Sequence, residues 1–100
     1  MDIEMIEISE NNIGFVIYPK EEKVLIEEKY YHIDQSEIDD FMRIIKAWKH
    51  EYINNSYFDG GSFSIAIYHD GKVDKIRGIR DYPDNYAEFS NFVRRIYERR

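Results

Sequence analysis

Phe63-Ser64-Ile65-Ala66-Ile67-Tyr68-His69-Asp70-Gly71-Lys72-Val73-Asp74-Lys75-Ile76-Arg77-Gly78 is the stretch on which the fold turns. Asp70-Gly71 signals a two-residue hairpin turn, whose central residues take the left-handed backbone conformation. Setting His69 opposite Lys72 brings Ile65 opposite Ile76 and Phe63 opposite Gly78. Alternation then puts Phe63, Ile65, Ile67 and Ile76 on one face, and Ser64, Ala66, Tyr68, Val73, Lys75 and Arg77 on the other. A ring laid over a glycine is a known device for filling a bare backbone position in a sheet. One face is apolar and the other mixed, so the hairpin predicts a sheet covered on one side only.

The register extends outward. Gly61 falls opposite Arg80, so residues 57–60 are expected beside residues 81–85 as one surface at the hairpin's open end. Pro83 suits the first turn of a following helix. Phe89, Phe92, Val93 and Ile96 give that helix its buried stripe, with Tyr86 and Tyr97 at the margin. In the other direction, Asp34 with Glu37 matches a capping box. Ile38, Phe41, Ile45, Trp48 and Tyr52 recur at helical spacing, which predicts a helix running to Asn54 with Trp48 buried in mid-stripe. Before it come three strands. Asn11-Asn12 turns the chain so that Ile8 faces Phe15 and Ile6 faces Ile17, and Val24-Leu25-Ile26 follows the turn at Pro19. The expected whole is a single α+β domain over residues 1–100, in two layers. A five-stranded antiparallel sheet carries both helices on one face, in the order β-β-β-α-β-β-α.

Composition narrows the function classes. The 100 residues are 43% hydrophobic and 16% aromatic, enough for a core, with no cysteine for disulfides or thiolate chemistry. No apolar run reaches the roughly 20 residues of a membrane span, and Met1-Asp2-Ile3-Glu4 lacks the pattern of a signal peptide, so a soluble cytoplasmic chain is expected. The net charge is −6, made of −8 over residues 1–60 and +2 over residues 61–100. Such a chain is repelled by nucleic acid and anionic lipid and attracted to basic partners.

Catalytic constellations are not evident. Gly60-Gly61 lacks the rest of a phosphate-binding loop, and Ser62 lacks the second flanking glycine of a nucleophile elbow. Glu21-Glu22-Lys23 and Glu27-Glu28-Lys29 contain the Glu-x-Lys of some nucleases, in a chain with eleven glutamates and a charge that repels phosphate. His32 and Asp34 are two ligands without a third, His50 sits late in the predicted helix, and His69 is expected exposed beside its turn. Neither an enzyme nor a cofactor or metal protein is expected.

Asp59-Gly60-Gly61-Ser62-Phe63, Asp70-Gly71-Lys72, Gly78 and Tyr82-Pro83-Asp84-Asn85-Tyr86 with Phe89 together resemble a C-terminal pattern in small bacterial proteins. These are largely uncharacterised, and some are similar to immunity proteins of polymorphic or contact-dependent toxin systems. The resemblance spans residues 57–97 and rests on turn residues and core aromatics; the family often has tryptophan near Phe63. It implies a binding inhibitor and no catalytic residue. The expected partner is a protein, a basic toxin domain whose active site is occluded. Candidate contacts are the acids Glu21, Glu22, Glu27, Glu28, Asp39 and Asp40, and the loop residues Tyr57, Asp59, Asp81, Tyr82 and Asp84. The alternative is a small housekeeping or regulatory protein that associates with a second copy of itself as a homodimer.

Overall fold

The computed structural model describes residues 2–54 and 61–100. Among these, seven strands and two α-helices are present: β1 (Ile3–Glu10), β2 (Ile13–Tyr18), β3 (Lys23–Ile26), β4 (Lys29–His32), α1 (Gln35–Ile45), β5 (Glu51–Ile53), β6 (Ser62–His69), β7 (Lys72–Ile79) and α2 (Tyr86–Tyr97). The strands form one sheet in the order β4-β3-β2-β1-β6-β7-β5. The α+β class holds, but the sheet is larger than expected and mixed, because β5 runs parallel to β7. No helix among the described residues is long and apolar enough to cross a membrane.

The two hairpins with turn signals pair as the sequence predicts. Ile6 faces Ile17 and Ile8 faces Phe15, and Asn11 takes a φ of 53° at the turn. Ile65 faces Ile76 and Phe63 faces Gly78, with Asp70 and Gly71 both at positive φ. A Cβ on Gly78 would run into the Phe63 ring and come within 2.8 Å of the Asp81 carbonyl oxygen, so the ring needs the glycine. β1 joins the two hairpins by pairing with β6, and this makes a continuous apolar face. Ile6, Ile8, Phe15, Ile17, Val24, Ile26, Phe63, Ile65 and Ile67 line it, and α1 and α2 cover it with Ile38, Phe41, Phe89, Phe92, Val93 and Ile96. Burying a Leu- or Phe-sized side chain is worth about 1.5–3 kcal/mol, so this layer supplies most of the drive to fold.

Two strands were missed, each for a physical reason. The third strand was expected to run out into Glu27, Glu28 and Lys29. They turn back as a hairpin, with Glu27 and Glu28 at φ 47° and 72°, where Asn-Gly would ordinarily be found. Tertiary contacts supply what the turn lacks: Tyr97 donates its hydroxyl to Glu27 at 2.7 Å, and Ile33 just past β4 is fully buried. β5 is hidden in the tail of the predicted first helix. That helix stops at Ile45 rather than running to Asn54. The free Ile44 carbonyl at its end accepts a bond from the Asn85 side chain at 2.9 Å, so a residue far along the chain caps it. Trp48 consequently sits past the helix, just after the turn at residues 46–47, and is only partly buried. The last helix also starts later than Pro83, at Tyr86.

Candidate functional site

The turn after α1 and the segment before α2 face each other across a groove of about 640 Å³. Trp48, Lys46 and Lys49 come from the first wall, Asp81, Tyr82, Asp84 and Asn85 from the second, and Tyr52 from β5. Local chemistry fixes both walls. The Trp48 indole N–H donates to the Asn85 side-chain oxygen at 2.7 Å while the Asn85 amide holds the end of α1. The Lys49 N–H donates to the Tyr52 hydroxyl at 2.9 Å. Tyr82 locks the second wall to β6: its hydroxyl donates to the Gly61 carbonyl at 2.9 Å and accepts from the Gly61 N–H at 3.0 Å. Asp81 accepts the Tyr82 N–H at 3.0 Å, and the Asp84 carboxylate is exposed without a partner among the described residues.

Beneath the groove lies an aromatic cluster. Tyr82 and Tyr86 stand 4.4 Å apart by ring centroids, and Trp48 meets Phe63 and Phe89 edge-on at 5.5 and 5.4 Å. Edge-to-face contacts of this kind are worth about 0.5–1.5 kcal/mol beyond the area they bury. The Tyr86 hydroxyl reaches through the cluster to Glu10, donating at 2.6 Å to a carboxylate only 8% exposed. Burial, with the Glu10 charge behind it, pushes the Tyr86 hydroxyl far above its ordinary range and keeps it a neutral donor. Alternation along β1 could have found this pair, since Glu10 continues the inward series Ile6, Ile8. The Trp48–Asn85 bond had no such signal in the sequence.

The sequence-predicted residues divide clearly. Asp81, Tyr82 and Asp84 come together on the second wall. Tyr57 and Asp59 lie outside the described residues. The six acids do not share one face. Glu21 and Glu22 lie at one end of β3, and Glu27 and Glu28 at the other. Glu21 pairs with Lys23 at 2.8 Å, Asp39 accepts the Gln35 amide at 2.9 Å, and Asp40 lies 2.8 Å from Arg43 and 3.7 Å from Arg95. Glu22 and Glu28 are the two whose charges stand open. The groove itself is bipolar, with bases on the α1 wall and acids on the α2 wall.

The histidines are held by neighbours. His32 meets Asp34 at 2.6 Å, with both side chains exposed. His50 lies 3.0 Å from the Lys75 carbonyl. His69 is not exposed as expected: its side chain is 12% exposed and wedged between Asp70 and Asp74 at 3.0 and 2.6 Å. Both carboxylates, Asp70 first, raise its pKa above the ordinary 6.5. The chain matches no family of known proteins, no curated protein and no solved structure.

Proposed function

We propose that this protein is a non-catalytic, cytoplasmic inhibitor that binds another protein, and that it acts as an immunity protein against a basic toxin domain. One observation carries the reading: a groove whose rings, Trp48, Tyr52 and Tyr82, are fixed in place by hydrogen bonds and whose second wall carries Asp81 and Asp84, the latter unpaired among the described residues, opposite Lys46 and Lys49 of the first. Aromatic faces beside carboxylates suit the side chain of an arginine or lysine, by cation–π attraction and ion pairing together. A rigid pocket of that kind is where a binding hot spot forms, because little entropy is lost on docking. The net charge of −6 would steer a basic partner in from a distance, while nucleic acid and anionic membrane are repelled. A second copy of the chain is a separate partner, taken on the uncovered face of the sheet.

The test is kinetic, on a partner captured from the native host. Asp84→Ala removes a free carboxylate and leaves every described hydrogen bond intact. It should speed dissociation by about 30-fold, the equivalent of a 2 kcal/mol hot spot. Glu22→Lys with Glu28→Lys changes the charge from −6 to −2 and should slow association instead, most of all at low salt. A partner indifferent to Asp84→Ala docks elsewhere, and a captured protein with an acidic surface overturns the reading.

A further inference from the structure

The helices cover one face of the sheet and leave the other bare. We propose that the bare face is the interface of a homodimer, in which two copies stack sheet on sheet about a two-fold axis running along β6. This interface is independent of the groove and stands whether or not the groove takes a partner.

Apolar exposure is the first support. Among the described residues three large apolar side chains are more than a third exposed: Tyr30 at 56%, Val73 at 42% and Ile53 at 38%. Strand alternation sends all three to the bare face, since Tyr30 faces Leu25, Val73 faces Tyr68 and Ile53 faces Ile79; Val73 and Ile53 lie on strands that the axis brings together, and Tyr30 on β4 lies outside them. The centre of the same face is small. Ser9, Gly14, Ser64 and Ala66 floor a trough of about 490 Å³, into which a second sheet can settle at the roughly 10 Å spacing of stacked sheets.

Charge selects a second copy as the occupant. Within the facing strands β2, β1, β6, β7 and β5, past the bulge near Met5, alternation sends Glu7 and Glu51 to this face, against Lys75 and Arg77. That is a net of zero on a chain of −6. Elsewhere two copies carry like charge and repel, and across these facing strands the net charge is balanced. Arg77 has Glu51 at 3.4 Å. Glu7 receives only the Tyr68 hydroxyl, and Lys75 has no carboxylate partner among the described residues. The two open charges are therefore opposite in sign. They lie in one row, Glu7–Ala66–Lys75, two strand spacings or about 10 Å apart, too far to meet within one copy. A two-fold axis along β6 maps the β1 position onto the β7 position. It lays Glu7 over Lys75 of the second copy, and the reverse, with Ala66 meeting Ala66 at the axis. This is the self-complementarity that an isologous contact demands.

The area fits a reversible dimer. Five facing strands, with strand lengths of about 20 Å, give each copy ~500 Å² of flat face. The total of about 1,000 Å² is at the low end of specific interfaces.

Sedimentation equilibrium over a concentration series into the millimolar range should show twice the monomer mass at the upper end. Glu7→Lys and Lys75→Glu should each weaken the dimer by about tenfold, and the double swap should restore it. Ala66→Arg should abolish it with the tryptophan fluorescence of the folded chain unchanged. The charge swaps decide the matter should Ala66→Arg unfold. A protein monomeric at every concentration overturns the proposal. So does a dimer indifferent to all three changes, or one in which the double swap fails to rescue.

Discussion

His69 shows how one side chain can differ from its sequence context. Beside an exposed turn it reads as a surface residue, yet its ring is wedged between Asp70 and Asp74 and only 12% exposed. The neighbouring carboxylates raise its pKa in the folded chain above the unfolded 6.5. Its contribution to stability is therefore fully present below pH 6.5 and is lost as pH rises through the folded value. His69→Gln keeps the size and removes the titration. The stability gap between the two proteins, measured by denaturant unfolding, should be widest below pH 6.5 and should narrow as pH rises. A gap constant with pH would mean that the two carboxylates do not govern the ring. Glu37 is the acidic counterpart. Partial burial opposes its ionisation, but the Arg99 guanidinium and the Asp34 N–H outweigh it and hold the carboxyl below its ordinary 4.5. That contribution is present at neutral pH and is lost as pH falls through the lowered value.

Turns decide which elements the sequence could reveal. β1–β2 and β6–β7 were legible down to register because Asn11-Asn12 and Asp70-Gly71 carry turn chemistry in their own side chains and backbone. β3–β4 was not, because Glu27-Glu28 carries none. Both residues sit in the left-handed region, and the hairpin is held by partners remote in sequence, Ile33 in the core and Tyr97 on α2. Glu28→Gly should therefore stabilise the protein, by about 1 kcal/mol, because glycine takes that backbone conformation without strain. Glu28 makes no described bond whose loss would offset the gain, and a lowered melting temperature would refute the strain. β5 escaped for the opposite reason, since Tyr52 falls at a spacing that serves a helix as well as a strand. The end of α1 is set by Asn85, 41 residues beyond Ile44 in the chain, and no local pattern encodes a cap at that distance.

Over the whole molecule, charge and shape divide the surface into regions of different use. The acids are dispersed over both ends of β3 and the outside of α1, so they act together as a long-range field rather than as a contact patch. The C-terminal end is tied down by Arg99, which pairs with Glu37 and donates to the His32 carbonyl at 2.9 Å, joining α2 to α1 and to the outer strand. Half of the candidate site was legible: extending the second hairpin placed residues 81–84 at its open end. The other half was not, because Trp48 reaches the groove only once α1 has stopped and Asn85 has taken its indole N–H. That indole is also the best reporter of the central claim, that the groove receives a basic side chain. The chain has one tryptophan, so one indole signal appears in a proton–nitrogen correlation spectrum. Titration with a short arginine-rich peptide should shift that signal, and Asp84→Ala should abolish the shift. An indole signal unmoved while resonances near Glu22 and Glu28 respond would show that basic partners meet the dispersed acids and not the groove.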